Sequence, residues 1–117
     1  MTQPTLYGIK NCDTVKKARM WLDNNGIDYQ FHDFRADGLT EAKVNDWIAE
    51  PGLEAIINKR STTWKGLSEQ DKLNIFDVSN APALIVANPT IIKRPLLEAS
   101  ETTQVGFNAE QYSTLFS

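Results

Sequence analysis

A single cysteine, Cys12, and a single histidine, His32, are all that the 117 residues hold of either type. One thiol cannot close an internal disulfide, which excludes a stapled secreted scaffold. One Cys with one His also falls short of a Cys/His zinc site, so no metal is expected. Positive charge is in deficit: 12 Lys+Arg against 15 Asp+Glu leave a net charge of −3. With no basic run, no nucleic-acid partner is expected. No stretch approaches the roughly 20 apolar residues of a membrane-spanning helix, so no membrane association is expected. The polar start, Met1–Pro4, lacks the basic and apolar regions of a signal peptide. The expected location is cytoplasmic, where thiols are kept reduced. Glycine and proline are sparse, at 6 and 5 residues, and form no linker or low-complexity tract. No internal repeat is present. What remains is a chain 41% hydrophobic, long enough for one core and too short for two independent domains.

The apolar run Thr5-Leu6-Tyr7-Gly8-Ile9 predicts a strand, broken by Asn11-Cys12-Asp13-Thr14. Val15, Ala18, Trp21 and Leu22 then recur at helical spacing, with Lys16, Lys17 and Arg19 outward, until Asn24-Asn25-Gly26 stops the helix. Ile27 to Phe34 alternates as a second strand, and a helix between two strands implies a parallel pair. From Asp37 the pattern turns helical. Thr40-Glu41-Ala42 opens one helix, Leu53–Asn58 gives a turn or two, and Ser68 with Asp71 resembles a capped start. Leu84-Ile85-Val86 could be a buried strand, but Asn80 before Ala81-Pro82 suits a helix opening and Pro89 a stop, so Ala81 to Asn88 is read as helix. Ile91-Ile92 and Leu96-Leu97 return to sheet, Ser100-Glu101 reads as a turn, and Thr103–Phe107 as a last strand. Asn108-Ala109-Glu110-Gln111 has capping-box spacing and opens a final helix. The expected fold class is α/β: a thioredoxin-like βαβ…ββα order on a four-stranded mixed sheet, with a helical insertion between the second and third strands. Residues 1–117 are expected to form one domain, with a sheet core of about 1–35 and 90–117 and an insertion of about 36–89.

Cys12 falls after a strand and at a helix start, where unpaired N–H groups and the positive end of the dipole favour an anion. Thiolate is such an anion and is the reactive form of cysteine. Three residues on stands Val15, not a second Cys. If Cys12 is redox-active, its resolving thiol must come from outside, from glutathione or a glutaredoxin-type protein. Arg60 alone reads as a loop cation, whereas Arg94 is held extended by the following Pro95. His32 reads as a strand residue and the three Trp as packing residues. The carboxylates are scattered, with no pair suited to acid–base work.

Four stretches carry a family resemblance: Tyr7-Gly8-Ile9-Lys10-Asn11-Cys12-Asp13-Thr14-Val15-Lys16-Lys17-Ala18-Arg19, Phe31-His32-Asp33-Phe34-Arg35, Asn58-Lys59-Arg60-Ser61-Thr62-Thr63-Trp64, and Ala87-Asn88-Pro89-Thr90-Ile91-Ile92-Lys93-Arg94-Pro95. Over roughly Leu6 to Phe116 the chain resembles the arsenate reductase-like (ArsC) family, in its YffB-like branch, which neighbours the Spx regulators. The resemblance implies a thioredoxin-like fold with a helical insertion. It also implies Cys12 as nucleophile, Arg60 and Arg94 as anion-binding residues, and Asn11 and Pro95 as supporting residues, with Pro95 cis. Forked guanidinium groups suit an oxyanion or carboxylate better than point-charge lysines do. The chain departs from the reductases at two points. No arginine occurs in Thr103-Gln104-Val105-Gly106-Phe107, and Gly8 stands where they have a His. The implied function is a glutathione-linked monothiol reductase, an oxidoreductase acting on a small oxyanion or disulfide. Glutathione would be its external reductant and a glutaredoxin a partner. The alternative within this class is a glutaredoxin-coupled arsenate reductase. The alternative outside it is a redox-silent protein-binding adaptor or Spx-like regulator; Val15 and the acidic balance count against the Spx-like role but not against docking in general.

Overall fold

Thr5-Leu6-Tyr7-Gly8 forms the first strand, β1 (Thr5–Gly8), in the computed structural model, which describes residues 3–99 and 102–116. The strand ends one residue early because Ile9 enters a turn, its carbonyl accepting from Cys12 N–H at 3.2 Å. Helix α1 (Asp13–Asn24) follows and buries Val15, Ala18 and Leu22 on one face. Gly26, at φ +67°, ends it in a Schellman motif. There Ile27 N–H donates to Leu22 O and Gly26 N–H to Asp23 O, at 3.0 and 3.1 Å. Because Ile27 is used in that stop, strand β2 is shorter than the alternation suggests and runs Gln30–Asp33. Arg19 is not fully outward: its guanidinium lies 4.3 Å from the Phe31 ring centre and donates to Tyr29 Oη.

After the helical segment come β3 (Leu96–Ala99) and β4 (Thr102–Val105), then α7 (Ala109–Leu115). The strand order is β2-β1-β3-β4, with β1–β2 parallel and the other two pairs antiparallel. This is the four-stranded mixed sheet of a thioredoxin-like α/β fold. The turn expected at Ser100-Glu101 lies outside the described residues. Asn108 caps α7 by accepting from Gln111 N–H, as the spacing predicts. The Gln111 side chain accepts instead from Gln104 Nε2 on β4, at 2.7 Å.

Leu6, Leu97 and Ala99 from the sheet, Val15, Ala18 and Leu22 from α1, and Tyr112 from α7 make one buried cluster. Tyr112 holds it together through edge-on contacts with Phe107 and Trp21, at 4.9 and 5.6 Å between ring centres. Its hydroxyl is buried with no hydrogen-bond partner among the described residues, and burial pushes the phenol pKa upward. An unmade hydrogen bond in a core costs stability. Tyr112→Phe is therefore expected to stabilise the chain, by about 1 kcal/mol, read as a rise in the urea midpoint.

The chain divides into two compact units, one drawn from its two ends up to Asp37 and from Arg94, the other Gly38–Lys93. The second unit holds α2 (Glu41–Ala49), α3 (Leu53–Ile56), α4 (Thr62–Lys65), α5 (Glu69–Asn74) and α6 (Ala81–Ala87). Thr40 and Ser68 cap α2 and α5 with their side chains. One short helix is added here and one expectation is corrected. The Arg60–Thr63 stretch is not all loop, because Ser61 accepts from Trp64 N–H at 3.0 Å and starts the short α4. Ile91-Ile92 does not join the sheet: Pro89–Ile91 is a 3-10 turn, and Ile92 makes an isolated bridge to Ile57. Trp64 stands edge-on to Phe76 at 5.8 Å, with the Lys59 ammonium near both rings.

Candidate functional site

Cys12 is the N-cap residue of α1, in extended geometry (φ −104°, ψ 124°). Its carbonyl accepts from Lys16 N–H at 3.0 Å, so the backbone opens the helix. Its thiol makes no capping bond, which leaves the first-turn N–H groups to an anion at the helix start. The residue is half-buried, packed against the rim of the core cluster. Asp13, in the first turn, is exposed and opposes that field. Asn11, exposed, occupies the turn just before the thiol.

The sheet register brings a second segment to the same end. Tyr7 pairs with Leu96 across the antiparallel β1–β3 ladder. Continuing that register sets Pro95 opposite Gly8, so Arg94-Pro95 enters the sheet where the Cys12 turn leaves it. The Arg94–Pro95 peptide is cis, as the family resemblance implies. Pro95 is buried, and its carbonyl accepts from Gly106 N–H at 2.8 Å. Arg94 is half-buried, with its Nε enclosed. Arg60 belongs to the helical unit. It is exposed in the turn before α4, and its N–H donates to Asn58 Oδ1 at 3.0 Å. The sheet unit thus gathers Asn11, Cys12, Arg94 and Pro95 at one end, and Arg60 is placed by the other unit. Among the described residues no group of three His, Cys, Asp or Glu side chains is arranged to hold a metal.

Gly8 and Val15 are matched by steric fit. A Cβ at Gly8 would stand 2.7 Å from Val15 Cγ2 and 3.3 Å from Cγ1. Val15 is fully buried and, being β-branched on a helix, has little rotamer freedom with which to yield. The absence of a side chain at position 8 and the branched side chain at position 15 are therefore one packing solution.

Asp33 was missed from the sequence, where the carboxylates look scattered. It is only 5% exposed, at the end of β2. Its Oδ1 accepts from Arg35 N–H and Ala36 N–H at 2.7 and 3.1 Å, and its Oδ2 from Lys10 N–H at 3.1 Å. Its own N–H donates to the Asp37 carboxylate. Burial pushes the Asp33 pKa up, but the Ala36, Arg35 and Lys10 backbone bonds and the Lys10 charge together hold it below its ordinary 3.8. A depressed carboxylate stabilises the fold fully above that ordinary value and ceases to as the pH falls through the lowered one. Asp33→Asn is expected to cost about 1–3 kcal/mol near neutral pH. The gap in urea midpoint from the wild type should narrow once the solution is acidified below the carboxylate range.

A four-stranded mixed sheet with the one cysteine at the N-cap position of the first crossover helix, at the sheet end where a cis X-Pro enters β3, defines a thioredoxin-like protein with a single thiol. The chain belongs to the ArsC family, whose model matches residues 7–115. Over 112 residues it is 44% identical to an uncharacterized protein of Haemophilus influenzae, covering 96% of this chain and 97% of that one. The solved YffB protein is 41% identical with a TM-score of 0.91, over 97% of this chain and 99% of that structure. The global transcriptional regulator Spx of Streptococcus pyogenes is 29% identical over 116 residues, 97% of this chain and 84% of that protein.

Proposed function

We propose that this protein is a cytoplasmic, glutathione-linked monothiol reductase. On this reading Cys12 is the nucleophile, Arg60 and Arg94 hold an anionic substrate or glutathione carboxylate, and Asn11 and Pro95 shape the approach. The observation that carries it is the placement of the one thiol at the start of α1, at the sheet end where Arg94-Pro95 enters β3. The 117 residues act as one thioredoxin-like domain interrupted by the helical unit. The Cys12 thiolate attacks the glutathione sulfur of a mixed disulfide, the Cys12–glutathione S–S bond forms, and the substrate leaves as thiolate. A second glutathione thiolate then attacks that bond, releasing glutathione disulfide and restoring Cys12. With one thiol in the chain, the thiolate that resolves the Cys12–glutathione bond is external, from one free glutathione or from a glutaredoxin. No step needs a metal.

The test is to incubate the protein with glutathione disulfide and, separately, with arsenate plus glutathione, reading Cys12 adducts by mass. A Cys12–glutathione adduct without arsenate turnover is the expected result. Arsenate turnover would replace the proposed substrate with the oxyanion. Neither adduct nor turnover would overturn the enzyme reading and leave a binding adaptor of the Spx kind.

A further inference from the structure

Asp33 makes more hydrogen bonds than its own turn requires. The bonds from Arg35 and Ala36 are local and complete the Asx turn that follows β2. The bond from Lys10 N–H is of a different kind, since it spans 23 residues and reaches the loop between β1 and α1. That loop is a tight turn from Ile9 to Cys12, closed by Cys12 N–H on Ile9 O at 3.2 Å, with Lys10 and Asn11 at its centre. A charged acceptor bonded to a backbone donor is among the stronger hydrogen bonds available, and here the acceptor residue is buried. The turn that delivers the thiol is therefore pinned at two points, and the second pin is the Asp33 carboxylate.

We propose that Asp33 is a positioning residue for Cys12, its carboxylate holding Lys10 N–H and so fixing the turn that presents the thiol at the head of α1. The proposal rests on Cys12 being the reactive thiol. It adds a residue that touches neither substrate nor sulfur. Two charged groups face Asp33, the Lys10 ammonium and the Asp37 carboxylate that accepts its N–H, while Arg35 on the following turn contributes its backbone N–H.

Two variants remove the tether by independent routes. Asp33→Asn turns one of the acceptor oxygens into an N–H donor facing a donor. Lys10→Pro deletes the donor itself, at a central turn position that proline favours, and leaves the other Asp33 bonds in place. Lys10→Ala keeps the N–H and reports the charge alone. Each is assayed for glutathionylation of Cys12 by glutathione disulfide and for reaction with 4,4′-dithiodipyridine, a small neutral disulfide. Urea midpoints confirm that the variants are folded. Loss of positioning is expected to slow glutathionylation by about ten- to a hundredfold in Asp33→Asn and Lys10→Pro beyond any change in Lys10→Ala. The dithiodipyridine rate should not fall with it, since a loosened turn exposes the thiol. In Asp33→Asn the Lys10 amide should also exchange roughly tenfold faster. A purely structural Asp33 would move both thiol rates together, and that result overturns the proposal. So do unchanged glutathionylation rates in folded variants. If Asp33→Asn fails to fold, Lys10→Pro decides the matter. A wild-type chain that reacts with dithiodipyridine but never with glutathione disulfide would sink the reductase reading, and the positioning role with it.

Discussion

Cys12→Ser is expected to abolish every covalent product of this protein with glutathione disulfide, leaving its mass unchanged after incubation. The expectation is absolute because the sequence contains one thiol, so no second cysteine can substitute for it. A serine hydroxyl at the head of α1 remains protonated at neutral pH and cannot attack a disulfide sulfur. The fold should survive the change. Cys12 is half-buried, its thiol makes no capping bond, and serine is a favoured N-cap residue whose oxygen can accept from a first-turn N–H. Urea midpoints are therefore expected to be equal or slightly higher in the variant, which separates chemistry from stability. A residual adduct on the variant would show that glutathione attaches elsewhere and would remove Cys12 from the mechanism. A variant that kept the protein's cellular role intact would favour the adaptor reading instead.

Gly8→Ala is expected to destabilise the protein by about 1–3 kcal/mol, the cost of overpacking a core. One methyl group is enough, because the new carbon would sit 2.7 Å from Val15 Cγ2 against a contact distance of roughly 3.5–4.0 Å. Val15 has no empty direction in which to turn, being fully buried with Leu6, Ala18 and Leu97 in the same cluster. The measurement is a double-mutant cycle on urea midpoints. Val15→Ala alone loses buried methyl groups and destabilises. The double variant should lose clearly less than the two single losses added, because each change makes room for the other. Additive losses would mean that the two residues do not share one packing constraint. The same contact gives a physical reason why the histidine of the reductases has no counterpart here. A side chain at position 8 and a valine at position 15 compete for one space.

Local patterns resolved most of the sheet unit and missed one short helix elsewhere. The spacing of Val15, Ala18 and Leu22 marked the buried face of α1, and Asn24-Asn25-Gly26 marked its end, because both signals act within a few residues. Asn108 capped α7 for the same reason. The α4 helix escaped notice because four residues are too few to show a period, although Ser61 three before Trp64 was a usable sign. Ile91-Ile92 looked like strand because β-branched residues favour strands wherever they find a partner. Its partner proved to be one residue, Ile57.

At the site the division is sharper. Residue counts alone established that any redox chemistry is monothiol and that the resolving thiol is external, since no folding can add a cysteine. The start of a helix at Cys12 was likewise written in its neighbours. Three things depended on how the folded elements meet. These are the arrival of Arg94-Pro95 beside the Cys12 turn through the β1–β3 register, the fit of Gly8 against Val15, and the reach of Asp33 to Lys10. Each is set by strand pairing or helix docking, and periodicity carries no information about such partners. An aspartate that looks like one more surface charge in the sequence is, once paired across the sheet end, the most buried carboxylate among the described residues.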